Sequence, residues 1–291
     1  MRDAISFPQA LNARTAGLTV VAMVAFGANS VLCRLALARG AIDPASFTLV
    51  RIGAGAATLW LILAASGKAR ALRGDWPAAL CLFIYASSFG FAYVSLSVGA
   101  GALLLFGAVQ ATMVVTGWIR GERLTRPQAL GFALALAGLV VLLLPGASAP
   151  PLVGAALMIA AGIAWGAYSL LGRGVADPLA ATAGNFLRAL PLAALLAAAT
   201  FHQGWKIEPA GATYALLSGA LASGVGYSIW YAALRGLSPV RAASVQLSVP
   251  VLAALGGAAA LGEAVSLRLA LCSLVTLGGI ALVISARKKQ A

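Results

Sequence analysis

Ten apolar stretches follow one another along this chain, at residues 16–38, 43–66, 76–97, 99–118, 126–144, 152–171, 178–200, 210–233, 238–260 and 266–285, with only short connections between them. Each is about the length that crosses the hydrocarbon core of a bilayer, roughly 20 residues. In lipid every backbone N–H and C=O must be satisfied within the protein, which leaves helices or a closed barrel. The runs are continuously apolar, whereas barrel strands alternate in polarity. The sequence therefore predicts an all-α polytopic membrane protein with ten transmembrane helices. Its composition agrees, with 62% hydrophobic and only 9% charged residues.

A net charge of +13 in a soluble chain would suggest nucleic acid. Here it follows topology, and no nucleic-acid partner is expected. With the N-terminus in the cytoplasm, the inner connections and tails hold fourteen basic residues, among them Arg14, Lys68, Arg73, Arg120, Arg173, Arg235 and Arg241. The outer ones hold four, Arg34, Arg39, Lys206 and Arg268. That asymmetry is the positive-inside pattern. It predicts a multi-pass protein of the bacterial inner (plasma) membrane with both termini cytoplasmic. No small-residue cleavage site follows the first span, so it is expected to remain as a helix. Cys33, Cys81 and Cys272 are scattered within spans and suggest neither a disulfide framework nor a metal site.

The chain also repeats itself. AFGANSVLCR at 25–34 and AWGAYSLLGR at 164–173 share six of ten residues. Asp43-Pro44 matches Asp177-Pro178, Arg51 matches Arg188, Tyr93 matches Tyr231, and the 24 residues from Gly121 align without a gap on those from Gly262. The shift is nearly constant, which marks a duplicated unit of about 140 residues. The units divide at 1–147 and 148–291, and each carries five spans. An odd number makes the second unit enter the membrane from the opposite side. Inverted-topology repeats of this kind are the architecture of secondary transporters, in which two similar halves exchange conformations around one site.

Two five-span repeats, each ending in a Gly-Glu turn (Gly121-Glu122 and Gly262-Glu263), then Ser or Thr and a glycine-bearing helix, resemble the drug/metabolite transporter superfamily. The chain is most similar to its EamA-type members and, among them, to the YddG-type amino acid exporters. The resemblance implies export of neutral amino acids, such as Phe, Trp, Tyr, Thr and Met, by alternating access. An alternative within the same superfamily is a multidrug or other small-metabolite exporter.

All seven acids lie at termini or span ends: Asp3, Asp43, Asp75, Glu122, Asp177, Glu208 and Glu263. Intramembrane carboxylates are the usual proton relays and cation counter-charges. Their absence from the middle of the spans, and hence from the expected cavity, argues against strong proton coupling. The polar groups near mid-span are uncharged. Asn29, Tyr85, Gln110, Trp165, Tyr168, Tyr227, Tyr231 and Gln246 are the candidate substrate contacts. Gln110 falls at helical spacing with Phe106 and Met113, and Ser223, Tyr227 and Tyr231 are each four apart. Amide and hydroxyl tips among aromatic faces suit a small-ligand pocket. The competing interpretation for the aromatics is packing, and for Trp60, Trp76, Trp118 and Trp205 near span ends it is anchoring at the interface.

Pro250 lies in the ninth span and frees the carbonyl of Gln246, making that point a substrate contact, a gating hinge or a packed kink. Arg51 and Arg188 are the basic residues placed well inside spans. Ion pairs Arg51–Glu263 and Arg188–Glu122 are geometrically possible, as is snorkelling of both arginines to the headgroups. Gly131, Gly138, Cys272 and Gly279 are expected at a contact between the fifth and tenth spans. His202 stands alone, and there is neither a metal-ligand cluster nor a phosphate-binding loop. No catalytic residues, no cofactor and no enzymatic activity are expected. The duplication places both halves in one chain, which predicts function as a monomer.

Overall fold

The computed structural model describes residues 12–286 except 69, 71, 122, 147, 148 and 238. It is helical throughout, apart from one isolated antiparallel bridge between Ile42 and Ile207. Seven long helices come first: α1 (Ala13–Leu37), α2 (Pro44–Ala65), α3 (Trp76–Tyr93), α4 (Val98–Ile119), α5 (Arg126–Leu143), α6 (Leu152–Leu171) and α7 (Pro178–Ala199). The eighth apolar stretch is in three pieces, α8 (Pro209–Leu217), a π-helical segment (Ser218–Val225) and α9 (Gly226–Leu234). The ninth is broken at Leu247 into α10 (Pro239–Gln246) and α11 (Ser248–Leu261), and α12 (Leu267–Ala286) completes the chain. Among the described residues, nine helices are long and apolar enough to cross a membrane, the ninth stretch counting as one over Arg241–Leu261.

The helix starts are written in the sequence. Asp43 and Asp177 stand at equivalent places in the two halves, each before a proline. Asp43 Oδ1 accepts from Ser46 N at 2.8 Å, and Asp177 Oδ1 accepts from Ala180 N at 3.1 Å. Each carboxylate thereby satisfies an orphan donor of the first turn, while proline fills a position that needs no N–H. Asp75 caps α3 in the same way through Ala78 N at 2.8 Å. Thr125 and Gln128 form a reciprocal capping box on α5.

The packing is paired between the halves. α1 lies against α8, the π segment, α9 and α11, and α3 lies against α6 and α7. α2 packs on α7 and the π segment, α4 on α6 and α11, and α5 on α12. Glycine decides the closest approaches. A Cβ on Gly131 would stand 2.6 Å from the Gly279 carbonyl oxygen, and one on Gly279 would collide with the Gly131 carbonyl. A Cβ on Gly138 would strike Thr276 Oγ1 and lie 3.1 Å from the Cys272 carbonyl oxygen. α5 and α12 thus meet backbone to backbone through the expected residues, away from the centre. Outward faces remain apolar, with Leu134, Val140, Leu271 and Leu274 exposed, as a lipid solvent allows. Trp60, Trp76, Trp118 and Trp205 are also exposed, close to helix ends.

Candidate functional site

Where α1, α3, α4, α6, α7, the π segment, α9 and α10 diverge, they enclose a cavity of about 440 Å³. That falls within the size range of small-molecule pockets, roughly 300–1,000 Å³. Exposed Leu171, Gly172 and Arg173 line its mouth, at the end of the molecule that carries Lys68, Arg73, Arg173 and Arg235. The opposite end is laced shut. Arg34 of α1 donates from Nε to Glu263 Oε1 at 3.2 Å, and from Nη1 to the carbonyls of Tyr93 and Val94 at 2.9 and 2.8 Å. Glu263 Oε2 accepts from Val98 N at 2.7 Å. One ion pair thus ties the end of α1 to the α3–α4 and α11–α12 turns. Beside it, Asp43 N donates to the Lys206 carbonyl and Glu208 N to the Ala41 carbonyl, joining the α1–α2 and α7–α8 loops.

Trp165 is the centre of the cavity's aromatic wall. Its ring stacks on Tyr168 at 5.2 Å and on Tyr227 at 5.6 Å between centroids, and Tyr85 meets it at 4.8 Å. Phe26 extends the cluster toward Tyr227 and Trp230. Spacing on α6 brings Trp165 and Tyr168 to one side, and spacing on α9 does the same for Tyr227 and Tyr231. Ser223, four residues before Tyr227, is buried but does not join them at the cavity wall. The π segment intervenes, and its wider turn breaks the one-turn register.

The polar atoms form two groups. On one side Tyr231 and Thr182 share a hydrogen bond at 2.7 Å, and Tyr168 Oη reaches Thr182 Oγ1 at 3.3 Å. Asn185 Nδ2 donates to Tyr168 Oη at 3.4 Å, while its Oδ1 accepts from Asp75 N at 3.0 Å. On the other side Asn29 Oδ1 accepts from Ser218 Oγ at 2.6 Å, at the start of the π segment. Gln246 lines the cavity from α10 and donates to the Ala242 carbonyl at 3.3 Å. The ensemble offers ring faces and neutral donors and acceptors that could hold a small molecule by its polar tips. Pro250 is buried in α11, just beyond the break at Leu247.

Of the residues singled out by sequence, Asn29, Tyr85, Trp165, Tyr168, Tyr227, Tyr231 and Gln246 share the cavity. Gln110 does not. It lines a separate crevice with Phe132 and Leu136 of α5 and Val283 of α12. Its helical spacing with Phe106 and Met113 left open the few tens of degrees that decide between neighbouring faces.

The Arg51–Glu263 pair is also overturned. Glu263 belongs to Arg34, whose position at the end of α1 lets it reach the α11–α12 turn, whereas Arg51 lies deeper and binds Tyr85 Oη at 3.1 Å. Arg188 Nη1 donates to the carbonyls of Arg73 and Gly184, both at 3.1 Å, and its expected partner Glu122 lies outside the described residues. The expectation that no carboxylate reaches the cavity needs correction as well. Asp75, exposed at the N-terminus of α3, contributes to the wall, because the hydrogen bond from its backbone N–H to Asn185 Oδ1 draws its loop against α7. Thr182 and Asn185 were not anticipated; their one-turn spacing with Arg188 along α7 was the available signal.

An all-helical, multi-pass membrane fold with a central cavity open at one end and laced shut at the other defines a transporter of small molecules. The chain matches the EamA-like transporter family over residues 14–144 and again over residues 152–285, and it belongs to that family. A Pseudomonas aeruginosa protein, uncharacterized protein PA1977, is 58% identical over 279 residues, covering 96% of this chain and 97% of that protein. A solved crystal structure is similar with a TM-score of 0.66 at 22% identity, over 96% of this chain and 100% of that one, a likeness of fold.

Proposed function

We propose that this transporter exports neutral amino acids, aromatic ones included, across the bacterial inner membrane. The observation that carries this reading is the Trp165 cluster, flanked by Asn29, Thr182, Tyr231 and Gln246 in one small-molecule-sized cavity. Aromatic faces suit a ring or methyl side chain, and neutral donors and acceptors suit a zwitterion without demanding net charge. Ten spans in two inverted five-helix units, 1–147 and 148–291, complete the proposal, with the pieces from Pro209 to Leu234 together crossing once. The pairing of equivalent helices and the matching caps Asp43 and Asp177 support it. With the basic end in the cytoplasm, the open cavity faces inward and the Arg34–Glu263 clasp closes the outside. Export then proceeds by exchange of these two closures between the halves. A single chain suffices.

Asp75 at the wall favours a second reading, a carrier of cationic drugs or metabolites coupled to protons. Efflux of labelled phenylalanine and threonine from proteoliposomes, with and without an imposed pH gradient, separates the two. Saturable efflux indifferent to the gradient is the expected result. Efflux that requires the gradient sinks the uncoupled mechanism, and absence of flux for both amino acids moves the assignment to the cationic reading.

A further inference from the structure

Arg51 is 2% exposed, about two turns from the start of α2, and makes no ion pair among the described residues. A guanidinium keeps its proton in proteins and carries five donors. Here Nη2 donates to Tyr85 Oη at 3.1 Å, and Nη1 has no hydrogen-bond partner. The charge lies 5.2 Å from the Tyr85 ring centre and 4.9 Å from that of Phe89, and both rings are walls of the cavity. Among the described residues, Ser223 Oγ is the other buried polar side-chain atom left without a hydrogen-bond partner, on the π segment that packs against α2. A Cβ on Gly219 of that segment would collide with the Arg51 carbonyl, so the two backbones touch at this point. Ion pairing to Glu263 and donation to loop carbonyls, the solutions adopted by Arg34 and Arg188, are both absent at Arg51.

A buried charge without a counter-ion is expensive, and in a membrane span it ordinarily marks a ligand path. Phe89 packs edge-to-face on Tyr93, whose carbonyl accepts from Arg34. The neighbourhood of Arg51 therefore lies at the blind end of the cavity, toward the clasp, with Arg51 itself behind the Tyr85 and Phe89 rings rather than in the wall. The Tyr85 hydroxyl accepts from Arg51 and so has its own proton left to donate. We infer that Arg51 and Tyr85 form an anion site at the blind end of the cavity, which takes the carboxylate of the transported solute. The carboxylate accepts from the Tyr85 hydroxyl and neutralises Arg51, while the side chain of the solute lies back along Trp165. This rests on the amino acid assignment only for the rest of the ligand, because any small organic carboxylate satisfies the site.

The test is equilibrium binding to purified full-length protein of three probes: phenylalanine, 3-phenylpropanoate, which lacks the ammonium, and phenylalaninol, which lacks the carboxylate. The two carboxylates are expected to bind at least about tenfold more tightly than phenylalaninol. Arg51→Gln is expected to bring the phenylalanine-to-phenylalaninol ratio near one, and Tyr85→Phe to lower it part of the way. A merely structural defect weakens all three probes together and preserves the ratio. Equal binding of phenylalanine and phenylalaninol by the wild type, or an unchanged ratio in Arg51→Gln, overturns the anion site and leaves the amino acid assignment standing. Arg51-dependent binding of 3-phenylpropanoate without binding of phenylalanine does the reverse. If none of the probes binds, both fall. Should Arg51→Gln not fold, an unchanged ratio in Tyr85→Phe overturns the site.

Discussion

Arg34 and Glu263, 229 residues apart in the chain, meet at 3.2 Å and close the end of the cavity opposite its mouth. Both are largely shielded, with 19% and 17% of their side-chain surface exposed, and each also holds backbone groups of the α3–α4 region.

A charge-assisted hydrogen bond of this kind contributes about 1.5–3 kcal/mol. Glu263→Gln is therefore expected to shift the balance between closed and open clasp by about tenfold or more. A cysteine at Ser30, in a background lacking Cys33, Cys81 and Cys272, reports the change through an impermeant thiol reagent. Its labelling from the clasp side should rise in Glu263→Gln. Unchanged labelling means the clasp does not control access.

Trp165 touches three tyrosine rings and presents itself to the cavity. Each aromatic pair is worth about 0.5–1.5 kcal/mol beyond burial. Trp165→Ala should raise the half-saturating phenylalanine concentration by about tenfold, and Trp165→Phe by less than about threefold. Threonine, with no ring to stack, should respond less. Equal losses for both substrates in efflux assays would mean that Trp165 only holds the helices apart.

Pro250 and the break at Leu247 belong together. Proline has no N–H for the Gln246 carbonyl, and Leu247 N turns to the Ser244 carbonyl at 3.2 Å instead. Pro250→Ala restores the missing donor and lets α10 and α11 fuse. Turnover should fall by about fivefold with little change in half-saturation, as for a gating step. An unaltered rate removes the hinge role.

Asp177 gives a pH signature outside the membrane. Its carboxyl is held below the usual aspartate range, first by the hydrogen bond from Ala180 N, which acts against partial burial, and further by Lys68 Nζ at 3.5 Å. A depressed folded-state pKa stabilises above the unfolded value, and the contribution is lost as pH falls through the carboxylate range, below about pH 4. The thermal midpoint of the wild type in detergent should drop more steeply between neutral pH and that range than that of Asp177→Asn. Parallel curves for the two proteins contradict this.

Much of the scaffold is legible in the sequence because lipid leaves few options. Apolar run length locates the helices, Asp43-Pro44 and Asp177-Pro178 locate their starts, and Gly131, Gly138 and Gly279 locate a contact that only glycine permits. The faces of the helices are far less legible. In a soluble helix the polar side declares the solvent, but here the lipid side is as apolar as the core. Nothing in the pattern therefore turns Gln110 away from the cavity and Phe106 toward it.

The π segment has no sharp signature either. Ser218-Gly219-Ala220 reads as ordinary small-residue packing, although it redirects every residue after Val225. Partner choice at the helix ends depends on how loops fold back. Arg34 and Asp75 look like ordinary terminal charges in sequence, yet one closes the cavity and the other lines it.

Counterflow tests the central claim most directly. Proteoliposomes preloaded with unlabelled phenylalanine are diluted into a trace of labelled phenylalanine with no ion gradient. A carrier that exposes one cavity alternately to the two sides should accumulate label transiently above equilibrium, with the overshoot abolished in Arg51→Gln. Label that merely equilibrates, without overshoot, contradicts alternating access and makes the cavity part of a channel.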